Sequence, residues 1–183
     1  MKSLAQMAAV PQSQEYIGAG DAAIYNTVSK MKDIISQSSK NPYVREWARS
    51  IVSRVAVNNK KGEAESVFAF VRDNVRYTRD PAGFEYMQTP PVMLEDIRMY
   101  QEGKGDRPAG DCDDMTLLSL SLLKSIGFNV AIKVVSFHNH RKFSHVYGLV
   151  QIGHDWVPFD CVRPDSYMGW EAKGLTRAME TIV

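Results

Sequence analysis

Ile24, Val28, Met31 and Ile35 recur at steps of four, three and four residues, which makes one face of a helix. Small polar residues and Pro42 break that pattern over residues 36–42. A second stripe sets Tyr43, Trp47 and Ile51 at i, i+4 and i+8, with Val44, Ala48, Val52 and Val55 alongside. After a polar break at 58–62, Ala64, Val67, Phe68, Val71 and Val75 form a third. These stripes read as faces buried in one core, with two of the helices pairing as a hairpin. Residues 77–91, holding Pro81, Gly83, Pro90 and Pro91, read as loop, and 92–100 as a short helix. Residues 101–110 contain three glycines and a proline and read as loop. Their GKGDRPAG run is no phosphate-binding loop, because the GK lacks a following Ser or Thr and the glycine spacing is wrong.

The second half changes period. Asp111 to Ile126 predicts a helix with Met115, Leu118, Leu122 and Ile126 on one side, stopped by Gly127. Three runs rich in Val, Ile, Phe and Tyr follow, at 129–137, 143–152 and 155–162, and predict strands. Gly153 between the last two suits a hairpin turn. Residues 165–183 read as a tail adding one short helix. The sum is an α+β chain with a helical layer first.

At 183 residues the chain has room for one compact domain. The expected division is an arm at 1–14 and a single domain at 15–183, with a helical part at 15–75, a core at about 76–164 and the tail. Lys and Arg number 22 against 21 Asp and Glu, which argues against a nucleic-acid partner held by charge. No apolar run is long enough to cross a bilayer, and the first residues lack the apolar centre of a secretory signal, so the expected location is cytoplasmic. Cys112 and Cys161 sit in no CxxC and do not make a disulfide framework, although one bridge between them is allowed.

A cysteine taken alone is a small buried apolar residue. The sequence Gly110-Asp111-Cys112-Asp113-Asp114 gives Cys112 another reading. Asp111 is a favoured N-cap, which puts Cys112 at the first helical position among unpaired amides and the positive end of the dipole. Both favour a thiolate nucleophile and an oxyanion beside it. Asp113 and Asp114 oppose it, so a histidine partner is needed. His145 lies in one predicted strand and Asp160 at the end of the next. With Gly153-His154 as a two-residue loop, His145 faces Val162 and Asp160 is a diagonal neighbour. With Ile152-Gly153 as the loop, His145 and Asp160 are directly opposite. Both registers put the side chains on one face, whereas a three-residue loop would bring Cys161 opposite His145. An oriented imidazole beside a thiol is the arrangement of a base and its nucleophile.

In order, Gly-Asp-Cys-Asp-Asp, Phe143-Ser144-His145-Val146-Tyr147 and Trp156-Val157-Pro158-Phe159-Asp160 resemble the transglutaminase-like core. Tyr77-Thr78-Arg79-Asp80-Pro81 and Gln88-Thr89-Pro90 resemble the lead-in of its bacterial and bacteriophage members. The resemblance covers about residues 63–164. It implies a papain-like fold, with a cysteine-bearing helix packed on an antiparallel sheet. It implies Cys112 as nucleophile, His145 as base and Asp160 as orienting carboxylate, in a peptidase or amidase rather than a protein cross-linker. No cofactor or metal is required. The partner implied is a protein or peptide substrate, and the alternative is a catalytically silent binding or virion-associated structural protein on the same fold. The backbone amide of Cys112 and the side chain of Gln88 are the candidate oxyanion donors. Asp113, toward a cationic amine, and Trp156, as a site wall, are the candidate substrate contacts. His138-Asn139-His140 is a solvated loop rather than a nuclease motif or a metal site.

Overall fold

The structure is a computed structural model and describes residues 13–15, 21–79, 85–137 and 143–183. In chain order the elements are β1 Ser13–Glu15, α1 Asp21–Ser38, α2 Pro42–Val52, α3 Lys60–Asn74, β2 Arg76–Tyr77, β3 Glu85–Met87 and α4 Pro90–Gln101. There follow β4 Ala109–Gly110, α5 Cys112–Ser125, β5 Val130–Phe137, β6 His145–Ile152, β7 Asp155–Phe159 and β8 Leu175–Ile182. The helices start where side chains satisfy their free amides. Asn41 accepts from the Tyr43 amide at 2.9 Å to open α2, and Asn59 accepts from the Gly62 amide at 3.0 Å to open α3.

Helix α5 is the centre of the fold. Helices α1 to α4 pack on it, and strand β6 lies against its remaining face. Every residue from Asp113 to Leu123 is buried. The one-sided stripe expected here is therefore too narrow: Leu117, Leu120 and Leu123 are buried as completely as Leu118 and Leu122. Such all-round burial marks a helix enclosed by protein.

Strands β7-β6-β5-β8 form an antiparallel sheet in that order. Val130, Ile132, Val134, Val146 and Val150 join the main core toward α5. Ala131, Val135, Tyr147 and Leu149 form a second cluster on the other face, with Phe137 and Leu175. β5 is buried on both faces, which is why its sequence is almost continuously apolar.

The tail corrects an expectation. No helix forms after Asp165; residues 175–182 are β8, paired with β5 along its length. Its Met, Glu and Ala carry little strand preference, but β5 offers an open row of hydrogen-bonding groups, and that non-local pairing decides. The stretch read as loop before α4 also contains β2 and β3, and Ser13 and Gln14 of the expected arm pair with β3 in β1. Residues 1–12, Pro81, Gly83 and the His138-Asn139-His140 segment lie outside the described residues. Among the described residues no helix is long and apolar enough to cross a membrane.

Candidate active site

The N-terminus of α5 is built by its acids. Asp111 is the N-cap and accepts from the amides of Asp113 at 2.9 Å and Asp114 at 3.4 Å. Asp114 reaches back to the Asp111 amide at 3.3 Å, closing a capping box. Its other oxygen accepts the Gln88 amide at 2.6 Å. A Cβ on Gly110 would stand 2.9 Å from Asp114 Cβ and 3.0 Å from Met93 Cε, so this close approach requires glycine. Cys112 is thereby the first helical residue, where the sequence puts it.

The sulfur meets the sheet at a gap in its ladder. The β6–β7 pairing ends at Gly148 opposite Phe159, leaving the start of β6 without β7 beside it. In an antiparallel pair successive amides alternate sides. The Gln151 amide donates to Asn129 on the β5 side at 3.0 Å, so the amide and carbonyl of Val146 face the side that β7 has left. Helix α5 takes both. The Val146 amide hydrogen-bonds the Cys112 sulfur, and the Val146 carbonyl accepts from Thr116 Oγ1 at 3.4 Å. Leu120, one turn further on, covers Gly148. Cys112, Thr116 and Leu120 thus form an i, i+4, i+8 row along β6. The row ends with Cys112 one peptide unit from His145.

His145 and Asp160 are joined. The hairpin loop is Gly153-His154, since Ile152 pairs with Asp155, and Gly153 has a φ of +64° at the first turn position. Of the two registers that keep parity, this is the one with Asp160 diagonal to His145. His145 Nε2 and Asp160 Oδ2 are 2.8 Å apart. Asp160 is 4% exposed, and its Oδ1 accepts the Val162 amide at 3.3 Å. Its carbonyl accepts from Ser166 Oγ at 2.9 Å, and Arg72 Nη1 holds the Ser166 carbonyl at 3.0 Å. The carboxylate is thus held by His145 and the Val162 amide, and the Asp160 backbone by Ser166. With Nε2 engaged, Nδ1 is the nitrogen left to receive a proton.

The electrostatics oppose a resting thiolate. Burial pushes the Cys112 thiol well above the usual range, the charges of Asp113 and Asp111 add to this, and the Val146 amide only partly offsets it. Cys112 Sγ lies 3.6 Å from Asp113 Oδ1, in position to donate to it. The sequence stresses the helix dipole; desolvation and two adjacent carboxylates outweigh it. Both cysteines are free, and the Cys161 thiol is likewise pushed up, by complete burial and then by Asp160.

Gln88 stands beside the α5 N-terminus, tied through its backbone to Asp114. Asp113 is buried and faces the thiol. Trp156 is set apart: it lies opposite Gln151 at the hairpin end of β7, and four residues of extended strand, ~13 Å, separate it from Asp160. Asp111, Cys112 and Asp113 bring ligand atoms within 4.8 Å of one another. The Asp111 carboxylate is committed to two helix amides, so the cluster reads as a cap rather than a metal centre. Two residues escape sequence reasoning. Tyr77 comes beside Cys112 because β2 pairs in parallel with β4, Tyr77 opposite Gly110. Tyr147 packs against the imidazole, with ring centroids 5.6 Å apart. Strand parity could have found Tyr147, two residues from His145; no local signal gives Tyr77.

No protein-family model matches the chain, and no curated protein matches it. Among solved structures it is similar to a candidate protease from Parabacteroides distasonis, with a TM-score of 0.51 at 8% identity. That match covers 73% of this chain and 26% of the other. A candidate cysteine protease from Cytophaga hutchinsonii matches with a TM-score of 0.47 at 13% identity, over 92% of this chain and 60% of that one. The chain therefore spans about a quarter of the first structure and three fifths of the second. What the comparison with the Parabacteroides distasonis protein shows is a shared α+β fold, helices packed on an antiparallel sheet.

Proposed function

We propose that the chain is a cysteine-dependent amide or acyl hydrolase, with Cys112 as nucleophile, His145 as general base and then acid, and Asp160 as the carboxylate that orients the imidazole. The observation that carries this reading is the 2.8 Å His145–Asp160 contact one peptide unit from the sulfur at the start of α5. As the sulfur attacks an amide carbon, its proton passes to His145 Nδ1. A tetrahedral oxyanion forms, and the Cys112 amide and the Gln88 side chain are its proposed donors. Collapse releases the amine with a proton from His145 and leaves a thioester on Cys112. Water, deprotonated by His145, then frees the acid. Because burial, and then the Asp113 carboxylate, disfavour a resting thiolate, proton transfer to His145 accompanies attack instead of preceding it. Substrate binding has to draw the thiol away from Asp113. Peptides are the substrate class that the sequence resemblance favours, with hydrolysis preferred to transfer.

The buried thiol beside Asp113, which disfavours a thiolate, favours a second reading, a binding or virion-associated protein on this fold in which the triad is silent. The two separate by experiment. Cys112 alkylation rates are measured against pH by mass spectrometry in wild type and His145→Ala, and peptide and amide libraries are screened for acyl-Cys112. A His145-dependent rate and a trapped thioester lost in Cys112→Ser support the enzyme. A thiol indifferent to His145, with no acyl adduct, refutes it.

A further inference from the structure

On the face of the sheet away from α5, a charged group sits directly behind the candidate base. Tyr147 is 2% exposed and its ring is tilted 30° to that of His145. Phe137 lies beside His145 as well, at 6.2 Å between centroids. The Tyr147 hydroxyl donates a short hydrogen bond to Glu171 Oε1. The same oxygen accepts Lys133 Nζ at 2.9 Å, and Lys133 also pairs with Glu180 at 3.3 Å. Lys133 is directly opposite Tyr147 on β5, and Glu180 opposite Lys133 on β8. One row across three strands is thus closed by a carboxylate from residues 163–174.

That return segment is anchored to the chain around Asp160. Ser166 Oγ donates to the Asp160 carbonyl at 2.9 Å, and the Gly169 amide donates to the Pro158 carbonyl at 2.8 Å. Glu171 then reaches Tyr147 and Lys133. Tyr147 is buried, Lys133 and Glu171 are half-buried and Glu180 is exposed, so the hydrogen bonds at the inner end of the row, Tyr147 and Lys133 to Glu171, are the ones that fix its members. Burial alone would raise the Glu171 carboxyl, but the bonds from Tyr147 and Lys133 outweigh it and hold it below its ordinary value. A stacked ring with two free dihedrals would otherwise let the imidazole turn.

We infer that Tyr147, locked by Glu171 and Lys133, is a positioning residue for His145: it fixes the imidazole plane in which Nε2 meets Asp160 and Nδ1 is presented toward Cys112. Its catalytic meaning rests on the hydrolase reading, but the positioning is measurable without any substrate. Among the described residues Asp160, Tyr147 and Phe137 contact the imidazole, and the Cys112 sulfur meets the amide of the next residue, Val146.

The test is nitrogen NMR of the His145 ring in the full chain, across pH, for wild type, Glu171→Gln, Tyr147→Phe and Tyr147→Ala. Cys112 alkylation by iodoacetamide is followed in parallel. Glu171→Gln is expected to move the His145 ring resonances and to lower His145-dependent alkylation about threefold, the scale of a coupled pair. Tyr147→Phe, which keeps the ring, should fall between wild type and Tyr147→Ala. Unchanged His145 resonances in folded Glu171→Gln overturn the inference, whether or not Tyr147→Ala folds. If instead alkylation ignores His145 while the resonances still move with Glu171, the hydrolase reading fails and the positioning stands.

Discussion

Gly148→Ala tests the contact that brings the cysteine helix to the sheet. A Cβ at residue 148 would lie 2.5 Å from Leu120 Cδ2, 3.1 Å from Leu120 Cγ and 3.5 Å from Phe159 Cβ. The first distance is impossible without movement. Leu120 is fully buried in the main core, so its side chain can yield only against packed neighbours. Either Leu120 leaves its rotamer or α5 backs away from β6, and overpacking of this kind costs about 1–3 kcal/mol. For a chain of this length the loss corresponds to a melting temperature roughly 2–12 °C lower. Urea unfolding of wild type, Gly148→Ala, Leu120→Ala and the double variant isolates the clash. Leu120→Ala alone removes a buried side chain and costs about 2–5 kcal/mol. In the Gly148→Ala background it also removes the obstacle, so its cost should fall by about 1 kcal/mol or more. Additive losses, or a Gly148→Ala as stable as wild type, would refute the packing argument. Cys112 lies on the same row of α5, so alkylation of Cys112 should change in Gly148→Ala and recover in the double variant.

Asp111→Ala removes the acceptor for two helix amides and should destabilise the fold by about 1 kcal/mol in urea; a loss within the ~0.5 kcal/mol scatter of surface changes would contradict the capping role. Asp113→Asn leaves burial, the largest influence on the thiol, in place but removes the next. The pH profile of Cys112 alkylation should move to lower pH, tenfold in rate for each unit where thiolate limits, and an unmoved profile would show that Asp113 does not hold the thiol. Glu171, with its carboxyl lowered in the fold, contributes stability that is present above the ordinary Glu value of about 4.3 and is lost as pH falls through the folded value. The stability gap between wild type and Glu171→Gln should therefore be widest near neutral pH and close on acidification; a pH-independent gap would refute the ion-paired network.

The helices were legible because burial imposes a period on them. Met31 and Ile35, Val44 and Ala48, Val67 and Val71 all recur at helical steps, and all are buried. The N-terminus of α5 was legible too, since an Asp before an apolar helix is a local signal and its bonds are made within three residues. The strand β8 was not: its stabilisation comes from β5, some 45 residues away, and leaves only weak alternation at an exposed edge.

The sequence by itself determined the chemistry on offer: a helix that starts at Cys112, and a His and an Asp on consecutive strands. It left their parity to the turn, because adding one residue to a hairpin loop exchanges the faces of a strand. Tertiary structure chose the two-residue loop and so joined His145 to Asp160. It also opened the ladder at Val146 for the sulfur, surrounded that sulfur with buried carboxylates, and set Tyr147 and Glu171 behind the imidazole. Those outcomes depend on groups distant in the chain sharing a low-dielectric space, and desolvation there depends on what packs around a group and not on its neighbours in sequence.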